Sequence, residues 1–285
     1  MIVVTGATGN VGGELVRALA AQGDVAVRAV ARRPDPSTFP PAVEVAAADL
    51  TDPASLRPAL DGARRLFLLG GFATPELLAR AREAGVGHVV LLTSRCVVAG
   101  RSDNAITRMW LDAEAAVRSS GLAWTILRPS GFHSNALRWL PQLQAGDVVQ
   151  APWPAVAIAS IDPADIAAVA AVALTEPGHE GTALPLSGPQ AVTPADQVAV
   201  LADALGRPLR YEPLADGDAR ARMAADGTPA PFIDAFFRFF SDGEFDDAPV
   251  VDTVRALTGR EPRTFAAWAS AHVTDWSDLG GAGGD

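Results

Sequence analysis

A glycine-rich segment at the start of the chain constrains the fold more strongly than any other feature. Residues 3–13 read VVTGATGNVGG; an apolar run precedes them, and apolar residues at helical spacing follow. This order predicts a strand, a tight turn and a helix. The spacing of Gly6, Gly9 and Gly12 suits a turn whose backbone approaches a pyrophosphate at a helix N-terminus. We therefore predict a phosphate-binding loop; the alternative is a glycine-rich connection that binds no ligand. The residues predicted to contact the cofactor in this loop are Gly6, Thr8, Gly9, Asn10, Val11 and Gly12.

The rest of the first half alternates apolar strands with helical segments. Five further strands are predicted at residues 25–34, 43–52, 63–71, 88–94 and 123–131, with helices at 53–61, 75–85 and 106–121 between them. Continuous apolar runs, rather than strict apolar–polar alternation, are typical of a parallel sheet covered on both faces. The fold class is therefore α/β, with a doubly wound parallel sheet.

Beyond residue 131 prolines interrupt the pattern. A strand is predicted at 182–188, and helices at 162–174, 193–208 and in the segments APFIDAFFRFF and RTFAAWASAHV. Four of the five phenylalanines in the first of these segments share one helical face, which predicts the core side and leaves Phe237 as the exception. The tail LGGAGGD, residues 279–285, is predicted to be disordered.

Composition limits the classes of partner. The chain has 285 residues, 49% of them apolar, and a formal net charge of −10. No apolar run approaches the ~20 residues of a membrane span, and the N-terminus lacks a signal-peptide pattern. We therefore expect a cytoplasmic protein without a membrane partner. The acidic charge argues against nucleic acid as a partner.

Metal and disulfide chemistry is not expected. The single cysteine, Cys96, excludes an internal disulfide and a cysteine-based zinc site, and the four histidines lack ligand spacing. The sequence contains no lysine, so all 23 basic residues are arginines.

Five stretches carry a family resemblance. They are TGATGNVG at 5–12, ADLTD at 48–52, VVLLTS at 89–94, SGLAWTILRPSGFHSN at 120–135 and TGREPRTFAAWA at 258–269. With these stretches the sequence resembles the NmrA-like branch of the atypical short-chain dehydrogenase/reductase superfamily. The resemblance implies a Rossmann-like domain with a smaller, mostly helical C-terminal portion that closes over it. It also implies either a reductase of quinones and other carbonyls or a dinucleotide-binding redox sensor.

We divide the chain accordingly. Residues 1–131 form the predicted dinucleotide-binding core. Residues 132–285 are a mixed segment that returns to the core near 156–188 and ends in a substrate-covering portion.

The end of the second strand bears on the choice of cofactor. Arg32 and Arg33 follow it, and no carboxylate occurs until Asp35. An acidic residue here binds the ribose hydroxyl of NAD, whereas an arginine accommodates the 2′-phosphate of NADP. We therefore expect NADP(H), with NAD(H) as the second option; two solvated surface arginines are the alternative interpretation.

The remaining cofactor contacts are assigned by their position at strand ends. Bare glycines at the end of the fourth strand would let the dinucleotide pass close, and residues at the end of the fifth strand would lie near the nicotinamide. The resemblance implies that the residues after the sixth strand flank the amide of the nicotinamide. By family analogy, residues after the third strand border the adenine, although Asp49 could instead cap the next helix. Pro129 is equally explained as a strand terminator. These residues are Asp49, Leu50, Gly70, Gly71, Thr93, Pro129, Ser130 and Phe132.

The catalytic dyad of most short-chain dehydrogenases is absent. That dyad places a lysine beside a tyrosine to lower the pKa of the phenol, but here Tyr211 is the single tyrosine and there is no lysine. Two catalytic candidates remain. Ser94 is the candidate hydrogen-bond donor to a substrate carbonyl. His133 is the candidate acid; the alternative is that His133 has a purely structural role.

Tryptophans define the expected substrate side. Trp139 and Trp153 lie in proline-rich loops that would overhang the nicotinamide, which favours an apolar pocket for a planar carbonyl compound. Our first hypothesis is an NADP(H)-dependent oxidoreductase of a quinone-like, enone or other apolar carbonyl substrate. The alternatives are a non-catalytic redox sensor that acts through a protein partner, and an isomerase or lyase. A homodimer is left open.

Overall fold

The computed structural model describes residues 1–272, and the predicted disordered tail lies outside them. Its strands are β1 (Ile2–Thr5), β2 (Val27–Ala31), β3 (Glu44–Ala47), β4 (Arg65–Leu69), β5 (His88–Leu92), β6 (Ala123–Pro129), β7 (Val148–Ala151), β8 (Thr182–Leu186) and β9 (Arg210–Pro213).

The helices alternate with these strands through the first half and dominate the second. They are α1 (Asn10–Gln22), α2 (Arg57–Leu60), α3 (Pro75–Glu83), α4 (Ala105–Ser119), α5 (Leu140–Ala145), α6 (Pro163–Thr175), α7 (Pro194–Leu205), α8 (Asp216–Ala225), α9 (Ala230–Phe240), α10 (Thr253–Thr258) and α11 (Phe265–Ala271). Short 3₁₀ segments occur at Pro36–Thr38, Pro53–Leu56, Gly70–Phe72, Arg95–Ala99 and His133–Trp139.

Seven strands form one parallel sheet in the order β3-β2-β1-β4-β5-β6-β8. The chain starts at β1, builds outward to β3, and then returns across β1 to build β4, β5 and β6 on the other side. This reversal creates a topological switch point between β1 and β4, where open α/β sheets bind ligands. The predicted doubly wound, Rossmann-like α/β fold is confirmed.

The sheet is covered on both faces, which explains the continuous apolar strands. On one face α1 and α6 pack together over β1, and their buried leucines include Leu15 and Leu19. On the other face α2, α3 and α4 cover the second apolar cluster. Because both leucines are fully buried, truncation of either to alanine is expected to cost about 2–5 kcal/mol of unfolding free energy.

The second half both extends the sheet and builds beside it. Strand β8 pairs with β6, and α6 packs on α1, so residues 163–186 belong to the main sheet layer. Strands β7 and β9 form a separate parallel pair. Helices α5, α7 and α11 pack around this pair in a third apolar cluster that includes Trp139 and Trp268.

The predicted burial of α9 is wrong for one residue. Phe237 is 2% exposed and belongs to the core, whereas Phe236 is half-buried. The reason is that α9 packs between two neighbours: Phe239 lies in the cluster beside α4, and Phe237 lies in the cluster beside α8. Helix α9 therefore buries two faces, whereas the prediction assumed a single buried face.

Among residues 1–272, no helix has both the length and the apolar character needed to cross a bilayer.

Candidate cofactor and substrate site

The parallel sheet brings the predicted site residues to one edge. Thr5 is in register with Val30, and Leu69 and Leu127 are both in register with Leu92. The segments that follow β1, β2, β4, β5 and β6 therefore emerge side by side. This shared edge places the glycine loop between the arginines after β2 and the predicted nicotinamide residues after β5 and β6.

Glycine is required in the loop for steric reasons. Gly6 has φ 62°, a left-handed conformation that favours glycine. A Cβ on Gly12 would lie 2.2 Å from the Gly6 carbonyl oxygen, and one on Gly9 would lie 3.2 Å from the same oxygen. The loop is therefore folded tightly against the first turn of α1, and Gly12 permits that close approach.

The loop presents hydrogen-bond donors to its surroundings. Thr8, Gly9 and Asn10 are exposed. Within the described residues, the N–H groups of Asn10, Val11 and Gly12 donate to no backbone carbonyl. Together with the N-terminus of the 13-residue helix α1, these donors fit a pyrophosphate. The Asn10 side chain donates from Nδ2 to Ser134 Oγ at 3.0 Å and so ties the loop to the segment after β6.

A cleft of about 410 Å³ opens beside the loop. Thr8, Gly9 and Asn10 line it, together with Phe39 and Trp268. Its lining includes none of the cofactor residues predicted at the ends of β2 to β6. The loop is therefore shared by two surfaces, the α1–α6 side with this cleft and the sheet edge with the other predicted contacts.

The two arginines after β2 are available to an anion. Arg32 and Arg33 are exposed, and neither has a hydrogen bond or ion pair with another described residue. Asp49 accepts hydrogen bonds from the side chain and backbone of Thr51, which lower its pKa, and the charge of Arg32 lowers it further. An exposed arginine pair at the end of β2 has the chemistry to bind a phosphate.

Asp49 does not cap the helical segment that follows it, which was the alternative interpretation of this residue. Asp52, not Asp49, accepts from the Ala54 N–H at the start of the Pro53–Leu56 segment. Asp49 instead closes the turn with Thr51, and Leu50 packs half-buried against the core beneath that turn.

The glycines after β4 differ from each other. A Cβ on Gly70 would lie 2.6 Å from the Leu92 carbonyl oxygen and 2.8 Å from the Trp110 ring. Packing against the protein therefore accounts for Gly70, and close approach of a dinucleotide is not needed to explain it. A Cβ on Gly71 would meet open space, so Gly71 alone has the free surface that the prediction assumed for both.

The side chain of Thr93 belongs to a buried ionic network. Its Oγ1 donates to Glu114 Oε1 at 3.1 Å, and Arg128 and Arg118 donate to the same carboxylate at 2.6–2.8 Å. Burial favours the neutral acid, but the two arginines outweigh it and hold the pKa of Glu114 below its ordinary value. The hydroxyl of Thr93 therefore anchors β5 to α4 and β6, and its backbone N–H donates to the Leu127 carbonyl at 2.8 Å, which leaves its own carbonyl for contact with a cofactor.

The two catalytic candidates lie in different surroundings. Ser94 is half-buried at the end of β5, where its Oγ accepts from the Cys96 N–H at 3.3 Å. His133 is 1% exposed, and its Nδ1 and Nε2 are hydrogen-bonded to Ser160 Oγ at 3.0 Å and to the Arg263 carbonyl at 3.2 Å. Burial lowers the pKa of His133 to about 4. These contacts favour the structural alternative for His133 over the role of an acid.

Sequence reasoning missed the carboxylate behind the end of β6. Asp247 is 6% exposed; its Oδ2 accepts from the Gly131 N–H at 3.0 Å, and its Oδ1 lies 3.6 Å from Arg95 Nε. Burial raises the pKa of Asp247. Ser130 Oγ donates to its backbone carbonyl at 3.5 Å. Nothing in the sequence signals this contact, since Asp247 lies 116 positions from Gly131.

A second, smaller pocket begins where β6 ends. It measures about 70 Å³, and its walls come from residues 131–139, 153–160 and 192–197. Phe132, Trp139 and Trp153 line it. Trp153 has φ 59°, the only non-glycine positive φ within residues 1–272, and Phe237 and Phe240 hold its ring at 4.8–5.2 Å between centroids. A strained aromatic residue at a pocket wall is typical of a functional site.

The fold, the switch point and the glycine loop define a dinucleotide-binding protein of the Rossmann type. Residues 6–177 match the model of a family described as NAD(P)H-binding. The chain belongs to this family.

Characterised relatives match nearly the whole chain. The (4-alkanoyl-5-oxo-2,5-dihydrofuran-3-yl)methyl phosphate reductase of Streptomyces griseus subsp. griseus is 42% identical, over 96% of this chain and 98% of the relative. The NAD(P)H azoreductase of Xenophilus azovorans is 35% identical, over 96% and 98%. The crystal structure of an NADPH-dependent quinone oxidoreductase of Escherichia coli with NADPH has a TM-score of 0.76 at 28% identity, over 95% and 99%. These findings confirm the predicted class, an NAD(P)H-binding oxidoreductase. The crystal structure of NmrA, a negative transcriptional regulator, shares the fold with a TM-score of 0.74 at 17% identity, over 98% of each chain.

Proposed function

We propose that the protein is an NADPH-dependent reductase of a small conjugated acceptor, such as an enone, a quinone or another apolar carbonyl compound. Reduced nicotinamide, when bound, supplies the hydride. The observation that carries this proposal is the loop at the β1–β4 switch point, whose free N–H groups fit a pyrophosphate and which shares its sheet edge with the pocket after β6.

Different residues of this chain would bind the different parts of the cofactor. The loop N–H groups would bind the pyrophosphate, and Arg32 and Arg33 the 2′-phosphate, which favours NADPH over NADH. Gly71, the Thr93 backbone and the residues after β6 would border the nicotinamide. Phe132 lines both the predicted nicotinamide edge and the second pocket, so an acceptor in that pocket would lie next to the reacting ring.

Within residues 1–272 neither His133 nor Tyr211 is placed as a proton donor, which favours acceptors that need little acid catalysis. His133 is held by two hydrogen bonds in the interior, and Tyr211 donates to the Ala151 carbonyl in the β7–β9 pair. Ser94 at the end of β5 can donate one hydrogen bond to a developing oxyanion. An enolate or a hydroquinone anion is stabilised by conjugation and can take its proton from water, whereas the alkoxide from a saturated ketone cannot rely on that stabilisation.

The names of the relatives support the same chemical class. The Streptomyces reductase is named for an alkanoyl oxodihydrofuran, a ring whose carbon–carbon double bond is conjugated with carbonyl groups, and the others are named for azo compounds and quinones. Electron-poor conjugated bonds are the shared feature. Of the three, the enone is our first choice because that relative is the most similar in sequence.

Matched acceptors test this proposal. NADPH oxidation is measured with an acyl dihydrofuranone, a naphthoquinone and the saturated acyl lactone. We expect turnover of the first two and none of the third, with NADH less effective than NADPH. Tight NADPH binding without turnover of any acceptor would contradict the proposal and favour the redox-sensor alternative.

A further inference from the structure

The second pocket carries one positive charge and no negative charge. Among its described lining residues, Arg138 is the only ionisable side chain. Arg138 donates from Nε to the Asn135 carbonyl at 2.8 Å, and its guanidinium makes no ion pair within residues 1–272. In a chain with a net charge of −10, an arginine without a carboxylate at a pocket wall is available for an external anion.

Two neutral donors line the same pocket. The side-chain amides of Asn135 and Gln197 have no hydrogen-bond partner among the described residues. Two carboxylates on neighbouring segments have other partners: Asp196 forms the capping box of α7 with Thr193, and Asp247 accepts from the Gly131 N–H and lies 3.6 Å from Arg95. No carboxylate is among the described lining residues, so none competes within the pocket for these donors.

The size of the pocket limits what these donors can hold. About 70 Å³ accommodates a substituent rather than a whole bicyclic acceptor. Because its wall starts at Gly131 and Phe132, the pocket joins the predicted nicotinamide edge. A ring at that edge would therefore extend one substituent toward Arg138.

We infer that the pocket is an anion subsite in which Arg138, assisted by Asn135 and Gln197, binds a phosphate monoester group on the acceptor. A guanidinium fork matches the geometry of a phosphate, and the relative named for a methyl phosphate shows that such acceptors exist for similar chains. The inference rests on the proposed function, since it specifies the substrate of that same site.

The test compares one acceptor with and without its phosphate. The two compounds are an acyl dihydrofuranone bearing a hydroxymethyl group and the phosphate ester of that compound. With the phosphate ester, Arg138→Gln is expected to raise KM about 10- to 100-fold while kcat and the KM for NADPH stay within about twofold. The hydroxymethyl compound is expected to show no difference between the variant and the wild type. Arg138→Lys is expected to restore part of the lost affinity, because it returns the charge without the fork.

The matched control is Arg57→Gln, which removes an exposed arginine on α2, far along the chain from the pocket and without an ion pair among the described residues. Equal effects of Arg138→Gln on both acceptors, or no effect on either, would overturn the inference. Competition by inorganic phosphate against the ester at millimolar concentration, with no preference for the ester, would overturn the assignment to the substrate.

Direct binding separates this inference from the proposed function. The phosphate ester is titrated calorimetrically into the protein saturated with NADP⁺. If wild-type protein binds the ester, Arg138→Gln loses that binding, and neither acceptor is reduced, the subsite stands and the proposed reductase activity fails. If both acceptors are reduced and the ester binds equally to wild type and Arg138→Gln, the activity stands and the subsite fails.

Discussion

The glycine loop and the pocket after β6 lie along one sheet edge, but they are built in different ways. The loop is made from seven consecutive residues, and steric contacts between backbone atoms, such as the 2.2 Å that would separate a Gly12 Cβ from the Gly6 oxygen, define it. The pocket is assembled from three segments between residues 131 and 197, and side chains define it. In the proposed function, binding of the pyrophosphate therefore depends on backbone shape, whereas acceptor choice depends on a few side chains.

The largest expected effect tests the backbone side of this comparison. Gly12→Ala would force α1 away from Gly6, because the added Cβ overlaps a backbone oxygen and no side chain can move aside. We expect NADPH affinity to fall by about three orders of magnitude or more, since several N–H donors lose their alignment together. Calorimetric titration measures this loss.

The matched control for Gly12→Ala is Gly13→Ala, where the added Cβ meets its nearest atom at an ordinary 3.4 Å. Unchanged NADPH affinity in Gly12→Ala would remove the loop from the cofactor site.

The second prediction concerns His133, whose ring is hydrogen-bonded to Ser160 in the wall of the pocket and to the Arg263 carbonyl. Its pKa is depressed to about 4, so the folded state excludes a proton that the unfolded state binds below about pH 6.5. The stability that this neutral histidine contributes is therefore present above pH 6.5 and is lost as the pH falls toward 4. The loss amounts to about 3 kcal/mol over that range.

Urea unfolding at several pH values measures this effect as the difference between wild type and His133→Gln. His179→Gln, which replaces a histidine in another part of the chain, is the control. The pH profile of turnover is expected to keep its shape in His133→Gln. A catalytic ionisation that disappears in that variant would instead make His133 the proton donor and contradict its structural role.

The third prediction concerns cofactor choice. Arg32→Ala is expected to weaken NADPH by about 1.5–3 kcal/mol, the range of a charged hydrogen bond, and to leave NADH almost unchanged. Titrations with both cofactors provide the measurement, with Arg57→Ala as the control for loss of an exposed positive charge. An equal loss for NADPH and NADH would show that Arg32 does not contact the 2′-phosphate.

The smallest effect is expected at Ser94. If water protonates the product, Ser94→Ala removes only one hydrogen bond to a developing oxyanion, and kcat should fall about tenfold with little change in KM. Ser94→Thr, which keeps the hydroxyl, is the matched control. A loss of several orders of magnitude in Ser94→Ala would show that Ser94 does more than donate one hydrogen bond.

The glycine loop could be predicted from the sequence, whereas most of the pocket after β6 could not. The glycine spacing and the apolar strands predict the sheet and the loop because each depends on neighbouring residues. The contact of Asp247 with Gly131, and the presence of Arg138 and Gln197 in the lining of one pocket, could not be predicted, since only tertiary packing brings these residues together. Gly70 and Phe237 show the same limit: the first packs against Trp110 from α4, and the second is buried by α8, neither of which is visible in the local pattern.

The central claim is that this chain directs a hydride from NADPH to a conjugated acceptor at the edge of the sheet. NADPH carrying deuterium on the transferred side of the nicotinamide is incubated with the acyl dihydrofuranone phosphate, and the product is examined by mass spectrometry. The account predicts a saturated ring that contains one deuterium from the cofactor, with wild-type protein and not with Gly12→Ala. Cofactor that binds but is never oxidised, or a reduced ring without deuterium, would contradict it.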